Sequence, residues 1–502
     1  MSLNRRQFVR VISQGAAAIA IAQQLRPAAA AQRAASDPLV SLDGLAQAKM
    51  ISAGEISPLE AVELAIARIE RLNPKINAVV TADFDAARAR ASENKFKGPF
   101  AGVTFLVKDL DDFKGTRMTG GSRAGLTNIS ETTQPYVQAC IDAGVNVVGK
   151  SNTPELGLTP TTESLALGPC YNPWDLTRSA GGSSGGAGAA VAAGLVAIAQ
   201  GSDGGGSIRI PASCCGVFGL KPSRSRLMGS KDEFEFGVDG VLSRSVRDTA
   251  HALVATERKT PGRGLKPVGL VTGPSKRRLK IGMYLKGSGG VVPSPEVSDA
   301  IMATAKLCEE LGHDVQISKL DLHEDSYAAD FLTLWASYAG EAVAALEKER
   351  GRKATLQDFE PLTLAFAEQY HGGGKEKVPA ASERLQQLSK DVNQRVLEYD
   401  VLLSPVLSTP PPLVGQYSPT LPFAELLARM TTYVAYTPLF NVTGMPAMSV
   451  PLHWTKEGLP VGSQFAARLG DERTLLELAY ELEAARPWAD KWAPWSAVKA
   501  PA

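Results

Sequence analysis

Gly181-Gly182-Ser183-Ser184-Gly185-Gly186 and Gly201-Ser202-Asp203-Gly204-Gly205-Gly206-Ser207-Ile208-Arg209-Ile210-Pro211 bracket a run of small residues in this 502-residue chain. Glycines, lacking a Cβ, let backbone N–H groups converge on a small anionic centre, and each cluster carries a serine that can face that centre. A lysine, Lys108, follows the apolar run Val103-Thr104-Phe105-Leu106-Val107 upstream. Together they suit acyl transfer by a serine whose base is lysine rather than histidine.

Working outward, Ala187 to Leu195 predicts a small-residue helix whose amino terminus points at the first cluster, and Val196 to Ala199 a short strand entering the second. Upstream, Leu39 to Ile76 is helical in pattern, with Ser57-Pro58-Leu59-Glu60 as N-cap, first-turn proline and acidic residue, and Asn73-Pro74 as its predicted end. Asn77 to Thr81 and Val103 to Val107 are β-rich runs flanking an Ala/Arg-rich helix, so Lys108 is expected at the end of a buried strand; Val145 to Gly149 repeats that signature. Helical patterns resume over Pro295 to Leu311, Tyr327 to Arg350 and Ala381 to Leu397. Ser404 to Pro422 predicts a surface crossing, Ala447 to Leu452 a strand, and Glu472 to Ala485 a helix. The alternation predicts an α/β fold with a central mixed β-sheet covered by helices on both sides, and no internal repeat is visible.

Other chemistries fit less well. Gly-Gly-Ser-Ser-Gly formally matches a nucleophile elbow, but Asn172 to Ser179 before it is loop chemistry, not the apolar strand that motif needs. The histidines (His251, His313, His323, His371 and His453) lie in ordinary helix or surface contexts. No Gly-Lys-Ser/Thr follows either cluster, and Gly186-Ala187-Gly188 lacks the third glycine of a dinucleotide fingerprint. Asp203 and Arg209 flank the second turn as a scaffold pair.

A net charge of +1, with 44% hydrophobic and 21% charged residues, gives no sign of a nucleic-acid partner. The basic stretch from Arg258 through Lys280 is interleaved with Gly and Pro and reads as a solvated loop. Residues 1–31 resemble a twin-arginine signal peptide: Arg5-Arg6, an Ala-rich apolar run from Val11 to Leu25, and an A-x-A site at Ala28–Ala31. That implies a periplasmic or secreted protein, with residues 32–502 as a single domain and no stable membrane insertion after signal removal. Cys140, Cys170, Cys214, Cys215 and Cys308 match no metal spacing and are expected as buried thiols.

Taken in order, Gly102 to Asp109, Gly149 to Glu155, Asn172-Pro173-Trp174-Asp175, the two clusters and Gly219-Leu220-Lys221-Pro222-Ser223 resemble the amidase signature family of serine hydrolases. Asn-Pro-Trp, Ile-Pro-Ala-Ser and Phe440 to Ala447 look most like its branch that hydrolyses the cyclic dimer of 6-aminohexanoate. The resemblance implies a Ser–cis-Ser–Lys triad, with Ser207 as nucleophile, Ser183 as the cis-serine relay and Lys108 as base. It places an oxyanion hole at the amides of Gly204, Gly205, Gly206 and Ser207. It also implies a small linear or cyclic amide as substrate, no cofactor or metal, and a monomer or homodimer. Carbamate- or ester-cleaving members and the glutaminase subunit of amidotransferases are the alternatives it brings; a non-catalytic binding protein would have lost the triad, which is present. Glycine at 204, where the family usually has a side chain, is expected to enlarge the pocket, and Trp335 is a candidate pocket wall.

Overall fold

A computed structural model describes residues 37–320 and 326–500. The signal-peptide reading of residues 1–31 and His323 lie outside the described residues. An eleven-stranded mixed sheet runs, from one edge to the other, Val79–Ala82, Asn146–Ser151, Thr104–Lys108, Ile198–Asp203, Val238–Ser243, Phe218–Lys221, Ala447–Trp454, Pro460–Ala467, Val401–Pro405, Lys280–Met283, Asp314–Ile317. Thr104–Lys108 lies parallel to both its neighbours, and the middle of the sheet is antiparallel. Parallel pairing returns where Lys280–Met283 lies between Val401–Pro405 and Asp314–Ile317. The predicted α/β class with a helix-covered mixed sheet is what forms.

Local sequence explains the elements nearest the site. Every residue of Thr104–Lys108 is buried, as its near-continuous apolar run requires of a strand covered on both faces. The helix Gly185–Ala192 is buried all round, and only small residues fit it. A Cβ at Gly186 would lie 2.2 Å from the Asn152 amide nitrogen, and one at Gly188 3.0 Å from Pro211 Cβ. The two glycine clusters are therefore brought together by helix–helix contact too close for larger side chains.

Two expectations are corrected. The helix beginning at Pro58, with the Ser57–Glu60 capping box formed, does not stop at Asn73-Pro74 but continues to Ile76. The N–H that Pro74 lacks would have faced the carbonyl of Glu70, an exposed residue whose carbonyl water can satisfy. Asn77, at φ +49°, then closes the helix. Ser404 to Pro422 is not wholly a surface crossing: Ser404 and Pro405 end an interior strand, and Val406, Leu407 and Ser408 are buried. Pairing with Pro460–Ala467 carries Ser404 and Pro405 into the sheet despite the proline. No helix or strand forms between Thr256 and Lys280, and the helices Pro295–Glu310, Ser326–Arg350, Val378–Arg395 and Glu472–Ala485 fall where the pattern puts them. The cysteines are free and buried. Among the described residues no helix is long and apolar enough to cross a membrane.

Candidate active site

Lys108 ends its strand with its side chain fully buried. Its backbone N–H donates to Gln200 Oε1 at 2.8 Å, across the parallel pairing with Ile198–Asp203. Its Nζ donates to Ser183 Oγ at 2.7 Å, to Ser202 Oγ at 3.1 Å and to the Ser202 carbonyl at 3.4 Å. Burial in low dielectric lowers its pKa to about 8, against the opposing charges of Asp111, Asp203 and Asp239. A lysine in that range is neutral to about a tenth at pH 7 and about half at pH 8.

Ser183 follows a cis peptide bond after Gly182. Thr159, Pro160 and Thr161 crowd Gly182 so closely that an added Cβ would lie 2.8–2.9 Å from their backbones. The Ser184 amide donates to the Ser207 carbonyl at 3.3 Å, which sets the two clusters side by side. Ser183 Oγ and Ser207 Oγ share no hydrogen bond among the described residues; the lysine–serine half of the expected triad is joined, and Ser207 stands beside it.

The turn carrying Ser207 is held from beneath. The Asp203 carboxylate accepts from the Gly206 amide at 2.7 Å and the Ile208 amide at 3.1 Å. It also accepts from Asn441 Nδ2 at 2.9 Å and from Arg209 Nε and Nη2 at 3.0 and 2.9 Å. Burial alone would raise the Asp203 pKa, but the Arg209 guanidinium and these donors hold it well below the usual carboxylate range. Arg209, itself buried, reaches Gln464 Oε1 and Asn441 Oδ1, each at 2.7 Å. Thr437 Oγ1 donates to the Gly205 carbonyl at 2.6 Å. The pair expected as a scaffold is thus the centre of a buried polar network with its partners satisfied. One expected oxyanion donor is corrected: the Gly206 N–H is already engaged by Asp203.

Ser207 and Gly205 open onto a cavity of about 380 Å³. Its walls come from the helix Ser326–Arg350 on one side, through Phe331 and Trp335, and from the helix Phe423–Tyr433 on the other, through Leu427 and Met430. Lys108 and Ser183 lie behind that surface. Trp335 therefore lines the pocket as expected, but Gly204 does not widen it. A Cβ at Gly204 would lie 3.3 Å from Trp335 Cη2 and Cζ3, so the indole occupies the room the glycine leaves. Among the described residues no histidine lines the cavity; His313 is buried away from it, where its Nδ1 accepts from the Leu279 amide and its Nε2 lies 3.1 Å from Glu481 Oε2.

Sequence reasoning missed Gln200, Ser202, Thr437 and Asn441. Gln200 and Ser202 had a signal: two apart on the strand that runs into the second cluster, they share one face. Thr437 and Asn441 had none, since they reach the turn from more than two hundred residues away in sequence.

A glycine turn lifted by a mixed sheet to the floor of a largely apolar cavity, with a buried lysine and serine behind it, is the setting of a hydrolase acting on carbon–nitrogen bonds. The amidase family model matches residues 60–476. A Mycobacterium tuberculosis protein named "Putative amidase AmiC" is 40% identical over 91% of this chain and 97% of its own length. The 6-aminohexanoate-cyclic-dimer hydrolase of Pseudomonas sp. is 35% identical over 89% of this chain and 95% of its own. A solved structure of 6-aminohexanoate cyclic dimer hydrolase complexed with substrate superposes with a TM-score of 0.85 at 32% identity, covering 91% of this chain and 99% of that one. The chain belongs to the amidase signature family and is an amide hydrolase.

Proposed function

We propose that the chain hydrolyses a small linear or cyclic amide through an acyl-enzyme on Ser207, with Ser183 as relay and Lys108 as base. The observation that carries this reading is the 2.7 Å contact between Lys108 Nζ and Ser183 Oγ in a buried site directly behind Ser207. Neutral Lys108 takes the Ser183 proton as Ser183 takes that of Ser207, and Ser207 Oγ bonds to the amide carbon. The carbonyl electron pair moves to oxygen, where the amides of Gly204, Gly205 and Ser207 receive it; a well-aimed donor of this kind contributes about 3–4 kcal/mol. Collapse re-forms the carbonyl and expels the amine, which takes the proton back through Ser183. Water then attacks the ester by the same proton route in reverse and releases the carboxylic acid and free Ser207.

The Arg5-Arg6 pair and the Ala28–Ala31 site support export by the twin-arginine route, giving a mature protein of residues 32–502 that works outside the cytoplasm. Replacing both arginines by lysine should trap precursor in the cytoplasm; normal export of that variant overturns the localisation. The catalytic reading is tested by labelling with a fluorophosphonate and by mass spectrometry of the modified peptide. Labelling on Ser207, abolished in Ser207→Ala together with turnover of an amide panel, is the expected result. Retained labelling in Ser207→Ala overturns it.

A further inference from the structure

The glycine turn is roofed by aromatic rings. Phe236, Phe331 and Trp335 form a near-parallel stack, with centroids 4.6 and 5.3 Å apart and planes inclined by 20° and 19°. The stack rests on the two glycines before Gly206: a Cβ at Gly204 would lie 3.3 Å from the Trp335 indole, and one at Gly205 3.3 Å from Phe331 Cζ. A Cβ at either position would require the ring above it to give by a few tenths of an ångström. The rings are also pinned. Trp335 Nε1 donates to the Leu158 carbonyl at 3.3 Å, and the Phe236 carbonyl accepts from Asn441 Nδ2, the group that braces Asp203.

Elsewhere the lining offers little polarity. Thr431 and Thr432 donate their hydroxyls to the Leu427 and Ala428 carbonyls of their own helix. Among the described residues no charged one lines the cavity, so none of them compensates a charged substituent for leaving water. An α-ammonium or α-carboxylate, as on glutamine, finds no charged partner among the described lining residues.

Resting on the assignment of Ser207, we propose that the Phe331–Trp335 pair, seated on bare Gly204 and Gly205, is the specificity-determining wall of this enzyme and selects uncharged amides with a flat, ring-bearing acyl group. A planar group continues an existing stack by offset face contact. The acyl group is the part kept on Ser207 through both half-reactions, beside the turn the rings cover.

The test compares benzamide with acetamide, so that only the acyl group differs. In the unaltered enzyme kcat/KM should favour benzamide. Trp335→Ala should cut the benzamide-to-acetamide ratio by about 10–100-fold, the range a lost apolar pocket contact gives, and Gly204→Ala, which displaces the indole, should cut it less. Trp335→Phe serves where the alanine variant does not fold; it keeps a smaller ring and should cut the ratio measurably, though less than the loss of the whole indole. A ratio unmoved in Trp335→Ala or Trp335→Phe, with thermal stability lowered, overturns the proposal, as does a ratio below one in the unaltered enzyme. Fluorophosphonate labelling of the same proteins separates the two failures. Labelling on Ser207 with an unmoved ratio sinks the pocket wall alone, and absence of labelling on Ser207 in the unaltered enzyme sinks the assignment beneath it.

Discussion

Two lysines lie on adjacent parallel strands of the sheet, both with fully buried side chains, and they do different work. Lys150, on Asn146–Ser151, has its Nζ 3.5 Å from Asp109 Oδ1 and donates to the Asp111 carbonyl at 2.6 Å. Lys108, on Thr104–Lys108, meets only hydroxyl and carbonyl oxygens of Ser183 and Ser202. Burial lowers the pKa of both. For Lys150 the Asp109 carboxylate beside it opposes that fall, and Lys150 in turn opposes the rise that burial imposes on Asp109. A buried lysine becomes a base when its nearest partners are hydroxyls that can exchange protons with it; next to a carboxylate it becomes half of an ion pair.

The largest effects should fall on the hydroxyl side of this comparison. Ser207→Ala should lower kcat by about a million-fold, the order seen when a nucleophile acting within a unit is lost, and Lys108→Met should come close to it. Ser183→Ala should retain more, losing about 10²–10⁴-fold, because the relay and not the nucleophile is removed. Turnover of one amide by all three variants, at equal folded concentration, checks the order. Ser183→Ala falling as far as Ser207→Ala would show that the relay cannot be bypassed.

Lys150→Met should invert the pattern. It leaves the Asp109 carboxylate buried with Thr119 as its remaining side-chain partner, and breaking a buried pair costs about 3–5 kcal/mol. Denaturant unfolding should show that loss, while kcat of the folded fraction changes far less than in Lys108→Met. Equal losses of kcat in the two would erase the distinction between the lysines.

How much of this contrast the sequence holds depends on how far apart in the chain the partners lie. Lys108 at a strand end, the serines in their glycine clusters, and Asp203 with Arg209 are legible because the apolar run, the clusters and the six-residue spacing are local. That Lys108 would face Ser202 and Lys150 would face Asp109 is decided by which strands lie side by side, and that order is not written in any one segment. The same holds for Thr437 and Asn441 under the turn. The Gly206 amide was misjudged because a glycine-rich turn signals free N–H groups without showing which of them the neighbouring carboxylate takes. Gly204 was misjudged because missing bulk reads as open space until the ring that fills it is seen. Pro74 and Pro405 show the converse: a strong local stop signal yields where the missing N–H costs little or where sheet pairing holds the residue.

The smallest effect concerns the charges around Lys108. With its pKa lowered to about 8, the fraction of neutral lysine, and with it kcat/KM, should rise about tenfold per pH unit below that value and level off above it. Ser183 and Ser202 meet the ammonium directly, while Asp111, Asp203 and Asp239 act on it through space and favour its charged form, Asp111 most. Gln200 ties that carboxylate into the site, donating to Asp111 Oδ2 at 2.6 Å and Asp239 Oδ1 at 3.2 Å while accepting from the Lys108 amide. Asp111→Asn removes one of these charges yet keeps the backbone carbonyl that holds Lys150. The midpoint of the pH profile should then move to lower pH by less than about one unit, with the plateau little changed. A midpoint that moves to higher pH would mean that Asp111 does not favour the charged lysine, and a flat profile between pH 6 and 9 would mean that Lys108 is not the group whose deprotonation governs turnover.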